Sequence, residues 1–325
     1  MVQINSQMNL YLYPDNLIEL VGKSINNPFI LWPNATKEKI TGFLSKTLKE
    51  ESNVGRSFFF EKDKEIYLYF QIQDLPWDTQ HFGYKCANIK NFYIDEEITF
   101  GNVDEIKKQI LPAFEIFLKR EKIRFLSADI ASLSKNGNYF IQTLGFRFIL
   151  NWIDGIWIPK PFGKADSVLP VSNILPAEVD MFSKIASTSY YKEGRFYIDK
   201  KFDPFKADKL YCELIKNSFL SKDIILLCRD GNTPIGIFVC KQIKTYTDFN
   251  NLKVAHLRFF LVDPAYRGKS YGERIFRSTL EYLKNECDLI TSGLESHNLI
   301  SMNLHSKMNF KFTYSHNAFH FWNSY

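Results

Sequence analysis

Cysteine is scarce in this chain. Five stand among 325 residues (Cys86, Cys212, Cys228, Cys240 and Cys287), an odd number with no C-x-x-C spacing. That pattern excludes a disulfide-stapled scaffold and a thiolate metal site; it reads as isolated buried thiols in a reducing compartment, with no metal expected. No apolar run approaches the roughly 18–20 residues needed to cross a bilayer, so no membrane insertion is expected. The opening stretch MVQINSQMNLYLYPDN has no basic segment followed by an apolar one and does not read as a secretory signal, so a cytoplasmic location is expected. Charge of one sign is also lacking: 41 Lys and Arg stand against 36 Asp and Glu, for a net +5. A nucleic-acid partner would call for basic residues gathered in a stripe, whereas here the signs are interspersed; a small anionic ligand fits better than a polyanion.

What is present is an ordinary globular balance, 45% hydrophobic and 24% charged, on a chain long enough for two domains. Phenylalanine and tyrosine are abundant, 30 and 17 residues, which suits aromatic-rich strands and a stacking pocket. Two prolines and a glycine interrupt the pattern at Ile158–Ser167, and this stretch reads as a linker between domains at 1–158 and 159–325.

Each side of that stretch carries a similar ending. Residues 123–148 read as strand (IRFLSADI), loop, helix (NYFIQTLGF) and strand (RFIL); residues 287–312 read as strand (CDLITSGL), loop, helix (LISMNLHSKMNF) and strand (KFTY). Overlaid without a gap, Leu126 falls on Ile290, Phe146 on Phe310 and Phe148 on Phe312. Gly145 falls on Asn309, and both residue types tolerate the left-handed conformation that ends a helix. A helix is expected upstream in each half, over 103–122 and 273–286. The chain therefore reads as an α/β (α+β) protein built from a duplicated unit, against the rival that two α/β units resemble each other by chance.

The most informative stretch is Ala255–Gly272, AHLRFFLVDPAYRGKSYG. Its first part has strand composition, Asp263-Pro264 stops the strand, and Ile275, Phe276, Leu280 and Leu283 follow at helical spacing. A strand, a glycine-containing loop and a helix leave unpaired N–H groups at the helix start, where hydrogen bonds and the helix dipole bind phosphate. Gly268 and Gly272 allow close approach, and Arg267 and Lys269 add charge. The plain alternative is a turn that merely starts a helix.

These residues resemble the acyl-CoA loop of the Gcn5-related N-acetyltransferase (GNAT) superfamily, whose signature is Arg/Gln-x-x-Gly-x-Gly/Ala. The superfamily's later helix motif, Asn-x-x-Ala-x-x-x-Tyr-x-Lys-x-Gly-Phe, is similar to Asn298–Phe310. The resemblance implies tandem GNAT-like domains, each a twisted mixed β-sheet flanked by helices. The N-terminal copy is expected to be degenerate, since Gly101–Glu105 replaces the Arg-Gly loop with an acidic stretch. It further implies acyl-CoA as co-substrate, held by Leu261, Val262, Arg267, Gly268, Lys269, Ser270, Tyr271, Gly272 and Asn298. Ser270, His305, Ser301 and Asn309 depart from the pattern, standing where Gly, Tyr, Ala and Gly are usual.

Acyl transfer to an amine needs a neutral amine, support for the carbonyl oxygen and a proton for the thiolate. His256 and Arg258 alternate on the strand and share a face, which makes His256 a candidate base, against the reading of a strand histidine outside the site. His305 stands where the resemblance places the thiolate's proton donor; a packing histidine is the alternative. The resemblance puts the oxyanion donors among the amides near Phe260–Val262. No G-x-S-x-G elbow or catalytic cysteine context occurs, which favours direct attack over an acyl-enzyme.

Asp74–Gly83, Arg195–Asp199, Ala207–Tyr211 and Asn217-Ser218 resemble the TDP-fucosamine acetyltransferase group, in which a partial N-terminal copy precedes a complete domain. That resemblance implies a dTDP-linked deoxyamino sugar as acceptor, serving a bacterial surface polysaccharide. Its site would draw an aromatic wall from Trp77, Phe82 and Tyr84, charge from Arg195 and Lys192, and a carboxylate from Asp78 or Asp199. Interdomain packing for the aromatics and a helical ion pair for Arg195–Asp199 are the alternatives. The expected partners are small molecules, with no nucleic acid, and the oligomeric state is open, a homodimer included. The rivals are a tandem acyltransferase of another small amine or peptide, and a non-catalytic acyl-CoA-binding protein.

Overall fold

The computed structural model describes residue 14 and residues 16–24, 27–51, 56–160, 168–189 and 192–324. Residues 161–167, most of the expected linker, lie outside the described residues. The described residues form two compact units, one from those within 1–31, 35–152 and 314–325, the other from those within 32–34 and 153–313. The division is therefore not one cut near Ile158, because the last strand of the chain joins the first unit.

The first unit contains α1 (Leu17–Lys23), α2 (Lys37–Glu51), β1 (Arg56–Lys62), β2 (Glu65–Asp74), α3 (Pro76–Phe82), β3 (Cys86–Ile94), α4 (Phe100–Arg120), β4 (Phe125–Ala131) and α5 (Lys135–Thr143), and the division falls inside β5 (Arg147–Trp157). β1, β2 and β3 are antiparallel neighbours, and β3 runs parallel to β4. In α4, Val103, Ile106, Ile110, Phe114 and Phe117 recur at three- and four-residue spacing and are all buried, against Phe70, Phe92 and Leu126 of the strands. Leu17, Leu20 and Leu48 of α1 and α2 form a second cluster with Ile66, Tyr69 and Tyr93.

The second unit holds β6 (Val171–Asn173), α6 (Pro176–Ser189), α7 (Arg195–Ile198), α8 (Pro204–Leu220), β7 (Ile224–Asp230), β8 (Thr233–Cys240), β9 (Lys244–Tyr246), β10 (Leu252–Val262), α9 (Tyr271–Leu283), β11 (Leu289–Glu295) and α10 (Leu299–Lys307); β12 (Lys311–Trp322) then passes into the first unit, where it pairs antiparallel with β4. β6, β7, β8 and β10 are antiparallel neighbours, β9 pairs with β10, and β11 is parallel to β10. The expected apolar face of α9 is buried, with Ile275, Phe276, Leu280 and Leu283 in the core beside Phe238 and Leu257. Gly236 of β8 allows that close packing, since a Cβ there would lie 2.6 Å from Ile275 Cδ1 and 2.7 Å from the Leu261 carbonyl.

The overlay of the two endings holds element by element: β4 and α5 correspond to β11 and α10 at the same offset that superposes Phe146 on Phe310. Gly145 and Asn309 both have positive φ, +92° and +62°. Ser134 caps α5 through Gly137 N–H, and Asn298 caps α10 through Ser301 N–H. The expected boundaries shift where a cap acts: α4 starts at Phe100 because Thr99 and Asn102 close a capping box, and α5 starts at Lys135 because Ser134 caps it.

Candidate active site

β10 and β11 pair only from Val254–Leu289 to Leu257–Ser292, yet β10 continues to Val262 and β11 to Glu295. Between Leu257 and Phe259 the register of β10 against β8 shifts, a bulge that bends the strand. Two parallel strands therefore part into a wedge open at their C-terminal ends, the end at which α/β sheets bind ligands. The bulge also exchanges faces. Ahead of it Ala255 and Leu257 belong to the core under α9, and beyond it Phe260 packs on Phe276 while Phe259 stacks against Tyr211 of α8.

The loop that follows β10 leads into α9. Asp263 ends the strand and accepts a hydrogen bond from Ala265 N–H at 2.9 Å. Gly268 and Ser270 both take positive φ, +73° and +60°. The serine accepts a conformation that costs a non-glycine residue roughly 1 kcal/mol. Ser270 gives α9 no side-chain cap, and among the described residues no N–H from Gly268 to Glu273 donates a hydrogen bond. Six amides without acceptors at a helix N-terminus are the kind of geometry that suits an anion. A Cβ built on Gly272 would meet Leu304 Cδ1 and Phe260 Cζ at 3.9 Å, ordinary contact distance. Around it, Arg267 Nε donates to the Val262 carbonyl (3.1 Å), Lys269 Nζ to the Ala265 carbonyl (3.1 Å), and the Tyr271 hydroxyl to Asp230. Leu261 is buried and Val262 half-buried in the strand below. Asn298 caps α10, so its side-chain oxygen is committed to Ser301 N–H.

The first unit is built differently at the corresponding place. The start of α4 is closed by Thr99 and Asn102. Glu96, in the loop after β3, accepts from the Ser134 hydroxyl and from Asn136 N–H at 3.1 Å. Its own carboxylate thus fills the anion-binding position at α5.

His256 lies opposite Thr291 in the paired part of the wedge, with Nδ1 3.0 Å from Thr291 Oγ1. The Thr291 hydroxyl donates to the Ala255 carbonyl (3.4 Å), so its oxygen accepts from Nδ1–H and the lone pair of a neutral imidazole resides on Nε2. Burial, helped by Lys241 and Arg258, holds this histidine below its usual pKa against the pull of Asp154. No partner for Nε2 is found among the described residues. Arg258 turns toward α8, donating to Ser218 Oγ (3.3 Å) and facing Asp223 (3.7 Å).

His305 departs from the expected donor role in its surroundings. It is 5% exposed, between the rings of Phe276 and Phe310. Nδ1 lies 2.7 Å from the Ser301 carbonyl, which only accepts, so that nitrogen carries the proton; Nε2, 2.8 Å from Ser292 Oγ, then accepts from the hydroxyl. Burial lowers its pKa. A neutral ring with both nitrogens committed has no proton to offer a thiolate.

The residues nominated for the sugar fall in both units. In the first, Trp77 stacks on His81 (5.5 Å) and Tyr84 packs on Trp322 (5.5 Å), while Phe82 is 2% exposed and too deep to form a wall. Asp78 sits in the first turn of α3. In the second, Arg195 places its guanidinium over Phe196, and Lys192 pairs with Asp208 at 3.2 Å. Asp199 is fully buried and accepts from Lys201 N–H in the turn after α7.

One residue escaped the sequence reading, and another, Tyr211, stood in the Ala207–Tyr211 stretch without a role. Glu295 closes β11 at the rim of the wedge, half-buried, with a carboxyl pKa raised by burial. Tyr211 of α8 is buried beside it, its hydroxyl pushed above the usual tyrosine range by burial and by Glu295. Glu295 had no motif, and its proximity to Tyr211 comes from two elements distant in sequence, β11 and α8.

Residues 184–310 match the family described as Acetyltransferase (GNAT) family. Among solved structures, the chain is similar to a GCN5-related N-acetyltransferase from Sphaerobacter thermophilus (TM-score 0.60, 9% identity, 94% of this chain and 91% of that one). It is also similar to a tandem GNAT protein from the clavulanic acid biosynthesis pathway (TM-score 0.51, 10% identity, 94% of each chain). A third is a GCN5-related glucosamine N-acetyltransferase region within a fungal multi-domain β-N-acetylglucosaminidase (TM-score 0.58, 13% identity), covering 95% of this chain and 37% of that one. No curated protein matches the chain. The family match covers residues 184–310, and the solved structures share the fold of this chain.

Proposed function

We propose that this protein transfers an acyl group from acyl-CoA to the amine of a small molecule, working in the wedge between β10 and β11. The observation that carries this reading is the run of acceptor-free amides from Gly268 to Glu273 at the head of α9, next to the parting strands. These amides fit the diphosphate of CoA: they gather at a helix N-terminus, Gly272 leaves the approach open, and Arg267 and Lys269 border it. Acyl-CoA supplies an activated thioester carbonyl. Backbone of β10 beyond Leu257, not paired with β11, offers amides for its oxygen. His256 takes the proton that the attacking amine sheds, through Nε2, directly or by way of a water. A thiolate leaves readily as an anion, since free thiols ionise near pH 8.5, so no buried acid is required. His305 instead holds α10 against β11.

For the acceptor we propose a nucleotide-linked amino sugar, a dTDP-linked deoxyamino sugar destined for a surface polysaccharide. Support comes from the resemblance of Asp74–Gly83 and Arg195–Asp199 to that enzyme group, and from an amino-sugar acceptor in the fungal neighbour. Within the second unit Arg195 remains a candidate for the ligand's charge, whereas Asp199 is fully buried. Cytoplasmic action fits an acyl-CoA donor. Calorimetry with acetyl-CoA, followed by thiol release with dTDP-amino sugars, glucosamine, putrescine and a short peptide, tests both levels. Acetyl-CoA binding with turnover of the dTDP-sugars is the expected result; turnover confined to another amine removes the sugar assignment, and absence of acetyl-CoA binding removes the enzyme.

A further inference from the structure

We propose that Thr291 is a positioning residue for the acyl transfer: its hydroxyl keeps the proton of His256 on Nδ1 and so leaves Nε2 able to take one from the amine. The inference rests on the acyl-transfer reading and adds to it the residue on which the base depends.

The sheet sets the pair. Val254–Leu257 of β10 and Leu289–Ser292 of β11 run in parallel register, with His256 opposite Thr291. Both side chains leave the face away from α9, because Ala255 and Leu257 on one strand and Ile290 on the other belong to the core beneath that helix. The pair stands one residue before the pairing ends, where the backbone is still held on both strands. Branching at Cβ restricts χ1 of threonine, so the hydroxyl has few directions to choose from.

One hydrogen then decides what the ring can do. Thr291 Oγ1 lies 3.0 Å from His256 Nδ1 and 3.4 Å from the Ala255 carbonyl. Were the hydroxyl hydrogen directed at Nδ1, the ring would carry its own proton on Nε2 and could only donate. The carbonyl, which can only accept, takes that hydrogen instead, and Oγ1 accepts from Nδ1–H. Hydroxyl and carbonyl in series also support Nδ1–H when the ring becomes positive. Burial first, then Lys241 after β8 and Arg258 of β10, oppose that positive charge, and Asp154 of β5 favours it.

The first unit shows that register alone does not make this bond. In the matching parallel ladder Asn88 of β3 lies opposite Ser127 of β4, and Ser127 falls on Thr291 at the offset that superposes Phe146 on Phe310. Yet Asn88 Oδ1 is buried without a hydrogen-bond partner among the described residues. The hydroxyl in this row meets its neighbour where that neighbour is an imidazole and misses it where it is an amide.

The step balances. An N–C bond forms and the C–S bond breaks; one amine proton passes to Nε2 and the thiolate leaves as an anion. The ring then returns its proton to water, and the thiolate takes one from it.

The test compares wild type with Thr291→Val, which keeps the shape and removes the hydroxyl, and with Thr291→Ser, which keeps the hydroxyl. Long-range proton–nitrogen NMR of histidine-labelled protein reads the tautomer, the His256 signals being identified by their loss in His256→Gln. At neutral pH the proton should reside on Nδ1 in wild type and Thr291→Ser, and move to Nε2 in Thr291→Val. Thiol release from acetyl-CoA is followed with the fastest amine of the panel above. In Thr291→Val kcat/KM should fall roughly 3- to 10-fold, the worth of about one hydrogen bond, and Thr291→Ser should recover most of it. The acid limb should move to lower pH in Thr291→Val, because the positive ring loses an acceptor, while acetyl-CoA affinity by calorimetry stays equal in all three. A wild-type ring with its proton on Nε2, or a Thr291→Val enzyme within about twofold of wild type and with its acid limb unmoved, overturns the positioning role. Absence of acetyl-CoA binding by the wild type would overturn the acyl-transfer reading instead, whatever the tautomer.

Discussion

At the scale of single residues, the two histidines of the second unit separate by their hydrogen bonds. His256 keeps Nε2 available and His305 commits both nitrogens. Both pKa values are lowered, first by burial, from the ordinary 6.5. A lowered folded-state value means stability that is fully present above the unfolded value and lost as pH falls through the folded one. Urea midpoints should therefore fall as pH drops below about 6.5, the unfolded reference. His305→Leu should cost roughly 1–3 kcal/mol at pH 7.5 by orphaning Ser292 Oγ and the Ser301 carbonyl, while flattening part of that pH dependence. In kinetics, the acid limb of kcat/KM should lie below pH 6.5 and vanish in His256→Gln, yet persist in His305→Leu. A His305→Leu enzyme that loses a basic limb in kcat would restore the proton donor to His305. Residue type alone could not separate these roles: both were legible as histidines near the site, and only the positions of Thr291, Ser292 and Ser301 decide where each proton sits.

At the scale of elements, two glycines make opposite demands. Gly272 has room for a side chain within the protein, so Gly272→Val should fold with little change in thermal midpoint while lowering acetyl-CoA affinity at least about tenfold, because the branched side chain occupies the diphosphate approach. Undiminished affinity by calorimetry would remove the diphosphate from the head of α9. Gly236→Ala should do the reverse, leaving the loop intact but forcing β8 away from Ile275 and the Leu261 backbone, at about 1–3 kcal/mol by denaturant titration. The turn into α9 was legible because strand, glycine loop and apolar helix spacing are local signals. The wedge was not, since the end of pairing at Leu257–Ser292 depends on a bulge and on neighbours across the sheet.

At the scale of the whole molecule, the last strand serves a unit that begins far upstream. Residues 316–322 of β12 pair with β4, and Phe319 and Phe321 pack with Phe114, Phe140 and Phe146 of the first unit. A chain stopped after Thr313 should therefore lose the first unit's stability, although the deletion lies at the opposite end of the sequence. Hydrogen exchange across Phe125–Ala131 reads this directly: full-length protein should protect those amides and the truncated chain should not. Protection retained after truncation would show that β4 holds without its partner.

Sequence alone determined whatever depends on neighbours along the chain. Helical spacing in α9, the left-handed Gly145 and Asn309, and the glycine-containing turn that leads into α9 all follow from local backbone and hydrogen-bond chemistry. Tertiary structure alone decided the departure of β12 into the first unit, the burial of Phe82, Asp199 and His305, and the meeting of Glu295, Tyr211 and Gly194. Those outcomes turn on which distant surfaces exclude water from one another, a competition among all segments that no local pattern records.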